Sequence, residues 1–196
     1  MNEPNFNYEK HAYCYIDIDP QDLSHGAYIH LKRISEMIKD LPQNASLLDY
    51  GCGAGAITRA IKKLRPDLNL YGIDLSQTAI DQAKLSTSQI NFQTINSDKL
   101  AFSDNFFDCV VMLEVLEHVP NPTQTLQEIK RVLKPNAKYF LAVPQEKSLI
   151  TLQGILIKLF NFYPSNQTAG HLHFWTQKEL EILLQQNRFK IISKNY

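Results

Sequence analysis

The chain has 196 residues, of which 44% are hydrophobic and 20% are charged, a composition typical of one globular domain. Its 20 lysines and arginines balance its 20 aspartates and glutamates, so no net charge favours nucleic acid or an anionic membrane as a partner. Three widely spaced cysteines are typical of a reducing compartment. Neither a secretory signal nor an apolar run of the roughly 20 residues needed to cross a membrane is found, and we expect a cytoplasmic protein.

Short apolar runs alternate with segments of helical periodicity along the whole chain. The runs predict strands at 46–50, 69–74, 90–95, 106–113, 139–143 and 189–193. Helical spacing predicts helices around 29–38, from Ala56 to Pro66, around 79–83, from Asn121 and from Thr176. Asn121 with Pro122 is typical of a helix start, and Thr176 with Glu179 matches a capping box. This alternation predicts an α/β fold, a Rossmann-like doubly wound and mostly parallel sheet with helices on both faces.

A glycine-rich turn follows the first predicted strand, with glycines at positions 51, 53 and 55. Glycine allows positive φ and a close approach of a ligand to the backbone, and the next helix offers free N–H groups. Asp74 ends the second strand, near the roughly 20-residue offset of a ribose-binding carboxylate. The pattern indicates a site for an adenosine-containing ligand. The structural alternative is a tight turn with Asp74 capping the helix near Ser76.

The run Leu47-Leu48-Asp49-Tyr50-Gly51-Cys52-Gly53-Ala54-Gly55 resembles the first motif of class I S-adenosylmethionine-dependent methyltransferases. The resemblance extends over residues 46–192. Further phrases are similar to those of the family and follow in its order: Asp74, Ser97-Asp98-Lys99-Leu100, Phe106-Phe107-Asp108-Cys109-Val110-Val111, Glu114-Val115-Leu116-Glu117-His118-Val119 and Arg131-Val132-Leu133-Lys134-Pro135. The dinucleotide fingerprint, by contrast, has its third glycine one residue later, which argues against a nicotinamide-dependent oxidoreductase.

The resemblance implies a donor site for S-adenosylmethionine, with S-adenosylhomocysteine as the product. Asp49 would face the donor's amino group, and the backbone of Gly51, Cys52 and Gly53 would pass its methionine portion. Asp74 would hold the ribose hydroxyls with Leu75 against the adenine. The remaining implied donor-site residues are Ser97, Asp98 and Lys99 at the adenine edge and Leu113 and Glu114 near the sulfonium.

Candidates for a general base are Glu117, His118 and His171, with His173 close by. A structural role is the alternative for each of them. Glu114-x-x-Glu117-His118 with a later histidine is also similar to the metal site of ribose 2′-O-methyltransferases that act on small-RNA ends, and in part to ubiquinone-pathway O-methyltransferases. We predict no metal ligand, because this phrase is widespread in family members without metal. A divalent ion that acidifies a substrate hydroxyl is kept as an alternative.

The domain organisation follows from these assignments. We predict a single domain over 1–196: an amino-terminal substrate segment at 1–45, a donor-binding core at 46–144, a lid-like insertion at 145–170 and a final helix and strand at 171–196. The expected acceptor is a small molecule, methylated on oxygen or nitrogen, and a non-catalytic binding module is the rival.

The end of the sheet is a departure from the family pattern. The family usually closes its sheet with an antiparallel pair, and residues 188–196 leave room for one strand. Either the sheet is shorter or the chain is part of a longer protein. An exposed edge strand would favour a homodimer.

Overall fold

The computed structural model describes residues 25–96, 99–144 and 170–194, with side chains from residue 28 onward. The chain divides into two compact units. The sheet unit holds Met1–Leu113 and Arg131–Ala142, and the second unit holds Glu114–Lys130 and Val143–Tyr196. The predictions made for residues 1–24 of the amino-terminal substrate segment, for Ser97 and Asp98, and for residues 145–169 lie outside the described residues.

The sheet unit alternates strands and helices, as predicted. Its elements are α1 (His25–Ile38), β1 (Ser46–Tyr50), α2 (Ala56–Leu64), β2 (Asn69–Asp74), α3 (Gln77–Ser86), β3 (Asn91–Thr94), β4 (Phe107–Leu113) and β5 (Leu133–Ala142). The second unit holds a short 3₁₀ turn (Leu116–His118), most of α4 (Pro122–Val132) and α5 (Gln177–Gln186). No helix in the described ranges combines the length and the apolar character needed to cross a membrane.

The five strands form one parallel sheet in the order β3-β2-β1-β4-β5. From β1 the chain moves outward through β2 and β3, and it then returns to the other side of β1 with β4 and β5. The strand order therefore reverses between β1 and β4, which is where parallel α/β sheets bind ligands, at the carboxyl ends of the strands. The predicted fold class is confirmed.

A continuous core covers one face of the sheet. Helices α1, α2 and α3 bury their apolar stripes against alternate residues of the strands, and the largest members of this core are Ile34, Ile38, Leu47, Ile61, Leu68, Ile80 and Phe92. The hydrophobic effect on this face fixes which side of each strand is turned toward the helices.

Two predictions about strands need correction. Residues 189–193 are not a strand: no described residue there pairs in the sheet, and the Ile192 side chain is 84% exposed. The apolar, β-branched residues of this run are typical of a strand, but a strand also needs a neighbour with free N–H and C=O groups. The fifth strand is longer than predicted, because Leu133 already pairs with Phe107, and Pro135 lies in the irregular stretch before the ladder resumes at Lys138.

Candidate functional site

The loop after β1 has the backbone that its glycines predict. Gly51, Gly53 and Gly55 have φ of 78°, 52° and 80°, in the left-handed region that other residues enter at a cost. The N–H groups of Gly51 and Cys52 both donate to the carbonyl oxygen of Ile73, at 2.7 and 2.9 Å. A Cβ added at Gly53 would meet nothing within 4 Å. The loop is therefore held against the end of β2 and has open space beside Gly53.

Both carboxylate oxygens of Asp74 accept hydrogen bonds from backbone N–H groups, which fix the orientation of the side chain. Gly53 N–H donates to Oδ2 at 2.8 Å, and Ser76 N–H donates to Oδ1 at 2.9 Å. The cap of α3 is Ser76, whose Oγ accepts the N–H of Ala79 at 3.1 Å. Asp74 is thus not required as a cap. Leu75, the next residue, leaves 52% of its surface exposed and offers an apolar contact next to the carboxylate.

Asp49 is buried, with 3% of its surface exposed. Burial raises the pKa of this carboxyl to about 6; the hydrogen bond from Thr58 opposes that rise, and the negative charge of Asp74 adds to it. The Thr58 Oγ1 donates to Asp49 Oδ2 at 2.6 Å. Such a carboxylate is stabilised by any cation that lies against it.

The cysteine in the loop is not a nucleophile. Burial raises the pKa of the Cys52 thiol well above its usual range, and the charges of Asp49 and Asp74 act in the same direction. Nucleophilic cysteines are thiolates, and a neutral thiol packed on the core contributes volume rather than reactivity.

The other residues predicted for the donor site are dispersed over the two units. Lys99 lies in an exposed loop, and Leu113 is the last residue of β4, packed in part against the core. Glu114, exposed and with a left-handed φ of 53°, begins the second unit. Within the sheet unit the structure brings together Asp49, Gly51, Cys52, Gly53 and Asp74.

The second unit brings together the three predicted catalytic residues. Glu117, 1% exposed, and His118 lie in the 3₁₀ turn. The backbone carbonyl of Glu117 accepts the N–H groups of Leu172 and His173, at 2.8 and 3.1 Å, which holds the 171–173 segment beside the turn. As a result, one side-chain ligand atom each from Glu117, His118 and His171 lies within 4.8 Å of the other two. We call these three residues the histidine cluster.

The hydrogen bond of His118 defines its tautomer. Its Nδ1 lies 2.9 Å from the carbonyl oxygen of Gly170, which can only accept, so Nδ1 carries the hydrogen and Nε2 keeps the lone pair. Burial lowers the pKa of His118, with the Gly170 bond opposing and His171 adding to the effect, and burial also lowers the pKa of His171. Both imidazoles are therefore neutral at pH 7 and able to accept a proton or a cation.

His173 has a different role from the cluster. Its Nε2 lies 2.9 Å from the carbonyl oxygen of Val119, and its ring stacks on Trp175 with a centroid distance of 5.4 Å and an angle of 15°. These contacts are structural, and they distinguish it from His171.

Two residues of the site were not predicted. Thr58 stands between the apolar positions of α2, and its polar side chain in a buried stripe was the available signal. Gly170 acts through its backbone oxygen, which no side-chain pattern reveals.

A parallel sheet with a glycine loop after its first strand and an oriented carboxylate after its second defines a class of nucleoside-binding α/β proteins. A family model described as a methyltransferase domain matches residues 23–194. The chain therefore belongs to the methyltransferase domain family, and the predicted class I membership is confirmed.

Known proteins agree with this assignment. The chain is 32% identical over 183 residues to a ubiquinone biosynthesis O-methyltransferase of Bartonella tribocorum, covering 86% of this chain and 71% of that protein. It is 36% identical over 110 residues to an uncharacterized methyltransferase of Schizosaccharomyces pombe, covering 50% of this chain but only 40% of the relative. The solved structure of a SAM-dependent methyltransferase from Methanosarcina mazei has a TM-score of 0.65 at 27% identity and covers 81% of this chain and 85% of that one.

Proposed function

We propose that this chain is an S-adenosylmethionine-dependent methyltransferase that methylates a hydroxyl group of a small molecule. Family membership and the loop geometry support the donor. The observation that supports oxygen as the acceptor atom is the histidine cluster, because a hydroxyl must lose its proton when it is methylated. The relative in Bartonella tribocorum, an O-methyltransferase by name, supports the same reaction class.

The donor-binding residues fit the chemistry of the donor. Asp74, fixed through both oxygens, presents its remaining lone pairs to ribose hydroxyls, and the exposed Leu75 packs on the adenine ring. The ionised Asp49 attracts the amino group, while Gly51, Cys52 and Gly53 supply backbone contacts. Ser97, Asp98, Lys99, Leu113 and Glu114 keep the roles implied by the family resemblance. When bound, the donor supplies a methyl group already activated on a sulfonium.

The histidine cluster handles the acceptor's proton. His118 Nε2 has the lone pair that accepts it, because Gly170 holds the hydrogen on Nδ1. The carboxylate of Glu117 lies beside the His118 ring and stabilises the imidazolium that forms. A positioned general base typically contributes about 10²–10⁴-fold in rate.

The test uses methyl-labelled donor, pools of candidate acceptors and mass spectrometry of the products. Small phenols and quinols form one pool, and RNA with free ribose ends forms another. We expect methyl label to appear in the small-molecule pool. The Asp74→Asn variant should lose donor binding. The His118→Gln variant should bind the donor as the wild type does but have a kcat lowered at least about 100-fold. Asp81→Asn and His173→Gln are the matched controls. Absence of labelled product from every pool, with donor binding intact, would contradict the enzymatic proposal and favour a binding module.

The same cluster supports a second candidate, a metal-assisted O-methyltransferase. One carboxylate and two imidazoles are a donor set suited to Zn²⁺, Fe²⁺ or Mn²⁺ more than to Mg²⁺, and their spacing matches ligands around one ion. Glu117, His118 and His171 would hold the ion, which would acidify a bound hydroxyl.

Chelation separates the two candidates. The general-base mechanism predicts that extensive dialysis against EDTA leaves kcat unchanged. The metal mechanism predicts loss of activity, recovery with Mn²⁺ or Zn²⁺, and a titration stoichiometry of one ion that falls to zero in Glu117→Gln. An unchanged kcat together with no calorimetric signal for either ion would eliminate the metal.

A further inference from the structure

A cleft opens at the edge of the sheet where β2 and β3 begin, and its volume is about 550 Å³. We call it the basic cleft, and its polar lining includes Lys62, Asn69, Lys84, Thr87, Ser88 and Asn91. From Asn69 the strand β2 continues to Asp74, and five residues of strand span roughly 16 Å. The basic cleft therefore lies at the opposite edge of the sheet from the glycine loop after β1, and it is not part of the donor site.

The lining of the basic cleft is positively charged. It contains Lys62 and Lys84, and none of the described residues that line it is acidic. The two lysines belong to the last turns of α2 and α3, where they also offset the partial negative charge of the helix ends. That partial charge is about half a unit per helix, so two full positive charges exceed it. The basic cleft therefore attracts an anion.

Lys62 is held in place by the backbone around it. Its Nζ donates to the carbonyl oxygens of Pro66 and Leu68, both at 2.8 Å. An ammonium group has three donors, so one N–H remains for a ligand. Because this side chain is already ordered in the folded chain, a ligand does not lose affinity by ordering it.

Lys84 and Thr87 supply further donors. Lys84 makes neither an ion pair nor a hydrogen bond with any residue that the structure describes. Thr87 follows directly after α3, and its Oγ1 accepts the N–H of Gln89 at 3.1 Å. The hydroxyl hydrogen of Thr87 is therefore available to a ligand. Ammonium and hydroxyl donors are groups that bind phosphate oxygens.

We propose that the basic cleft binds the phosphate group of a phosphorylated compound. A phosphate with two negative charges matches the two lysines, and its oxygens accept hydrogen bonds from Lys62, Lys84 and Thr87. Leu70 and Phe92 also line the cleft and offer an apolar contact to the carbon part of the compound. This inference does not depend on the methyl transfer that we propose, because the two sites lie at opposite edges of the sheet.

The test is isothermal titration with inorganic pyrophosphate in about 0.15 M salt, which screens scattered surface charges. The proteins are the wild type, Lys62→Gln, Lys84→Gln and the control Lys63→Gln, whose lysine is exposed beside Lys62 and does not line the cleft. We expect the wild type and the control to bind one pyrophosphate per chain. Lys62→Gln and Lys84→Gln should each weaken binding at least about tenfold, the range of a hydrogen bond to a charged group. Saturating S-adenosylhomocysteine should leave the affinity for pyrophosphate unchanged.

Any of three results would overturn the proposal. The wild type does not bind pyrophosphate, Lys63→Gln weakens binding as much as Lys84→Gln does, or S-adenosylhomocysteine competes with pyrophosphate. Each of them leaves the proposed methyl transfer standing, because labelled product is measured separately. If Lys62→Gln does not fold, as judged by circular dichroism, Lys84→Gln and the charge reversal Lys84→Glu serve as the test, since Lys84 holds no described residue in place.

The phosphate belongs either to a soluble compound or to a lipid headgroup, and vesicles separate the two sources. Leu85, next to Lys84, leaves 88% of its surface exposed, and exposed leucines beside lysines are typical of surfaces that meet anionic lipid. A lipid source predicts that the wild type sediments with vesicles containing phosphatidylglycerol but not with phosphatidylcholine alone, and that Leu85→Ser and Lys84→Gln do not sediment. A soluble source predicts no sedimentation and binding of glycerol phosphate that Lys84→Gln weakens and Leu85→Ser leaves unchanged.

Discussion

At the scale of one residue, Asp49, the carboxylate that we propose to face the donor's amino group, lowers the stability of the folded chain because its charge is buried. Its carboxyl has a pKa of about 6 in the folded chain and 3.8 as the ordinary value. Above pH 6 the folded state therefore holds a buried negative charge that the unfolded state would keep in water. The difference corresponds to about 3 kcal/mol, from roughly 1.4 kcal/mol per pH unit. A cation at this carboxylate offsets that cost.

Asp49→Asn should stabilise the ligand-free protein in a pH-dependent way. At pH 7.5 the substitution removes the buried charge, and we expect the free energy of unfolding to rise by up to about 3 kcal/mol. As the pH falls from 6 toward 4 the folded state takes up its proton first, the penalty disappears, and so should the gain. Urea denaturation at pH 7.5 and 4.5 measures both values, with the exposed Asp81→Asn as control. An equal gain at the two pH values would exclude Asp49 as the cause.

Donor binding should weaken as Asp49 is protonated. The donor's amino group stays positive from pH 5 to 7.5, so the change in affinity reports on the carboxylate. We expect the Kd for S-adenosylhomocysteine to rise about tenfold between pH 7.5 and 5, and Asp49→Asn to bind weakly with a flat profile. Thr58→Val, which removes the hydrogen bond that lowers this pKa, should move the midpoint above pH 6. A wild-type profile as flat as that of Asp49→Asn would refute this assignment.

Residues were predictable where backbone conformation or motif spacing demands one residue type. Gly51, Gly53 and Asp74 belong to that group, since φ and strand position specify them. Thr58 stands out in the sequence only as a polar residue within the apolar stripe of α2, and its bond to Asp49 could not be predicted because that bond depends on which side chains the fold brings together.

At the scale of elements, the Phe92 ring of β3 packs against both β2 and the glycine loop. A Cβ added at Gly72 would lie 2.5 Å from the Phe92 ring and 2.9 Å from Cys52 Sγ, and a Cβ at Gly55 would lie 2.6 Å from the same ring. Phe92 is 3% exposed and packs in the main core. The ring thus occupies the space that the two glycines leave open.

Gly72→Ala should destabilise the protein by about 1–3 kcal/mol, because a packed core has no room for the added methyl group. Phe92→Leu alone leaves a small cavity, and in combination with Gly72→Ala it should cost less than the sum of the two changes. Urea denaturation of the four proteins gives this coupling. Additive effects would mean that the backbone shifts rather than the ring.

Helix α5 has no fully buried residue, so its ends matter more than its packing. Thr176 Oγ1 accepts the Glu179 N–H at 3.3 Å, and Glu179 Oε2 accepts the Thr176 N–H at 2.7 Å. Thr176→Ala should cost about 1 kcal/mol of stability and speed amide exchange in the first turn. Gln177→Ala is the neighbouring control. Unchanged exchange in Thr176→Ala would show that tertiary contacts hold the turn.

Helices and strands were predictable where a local sequence pattern alone determines where they begin and end. Strands β1 and β2 have the predicted bounds, and the caps at Asn121 and Thr176 are formed. Two predictions were wrong because strand pairing joins segments that are distant in sequence, and a local pattern does not contain that information. They are the strand predicted at 189–193 and the start of β5, which lies at Leu133.

For the whole molecule, the balance of 20 basic and 20 acidic residues sets how copies interact. Near pH 7 there is no net charge to keep molecules apart, whereas protonation of carboxylates at acid pH and deprotonation of lysines at alkaline pH both restore repulsion. We expect self-association to be greatest near pH 7 at low salt. Light scattering as a function of pH measures it, and a minimum of association near pH 7 would contradict the prediction.

The fold class was predictable from the order of strands and helices, since crossover connections leave few topologies for a parallel sheet. The division into two units was not, because Glu114–Lys130 continues directly from β4 and its sequence has no linker composition. The geometry of the histidine cluster depends on hydrogen bonds between segments more than 50 residues apart, which no spacing rule supplies.

The stacking of His173 on Trp175 makes the protein its own optical reporter. Trp175 is the single tryptophan of the chain, so its emission comes from one place, four residues from His171, the member of the histidine cluster on that segment. Contact with the His173 ring affects the emission of Trp175, so any ligand that moves the 171–175 segment changes that emission. Acceptors and metal ions can therefore be screened on the unlabelled protein by the brightness of one ring.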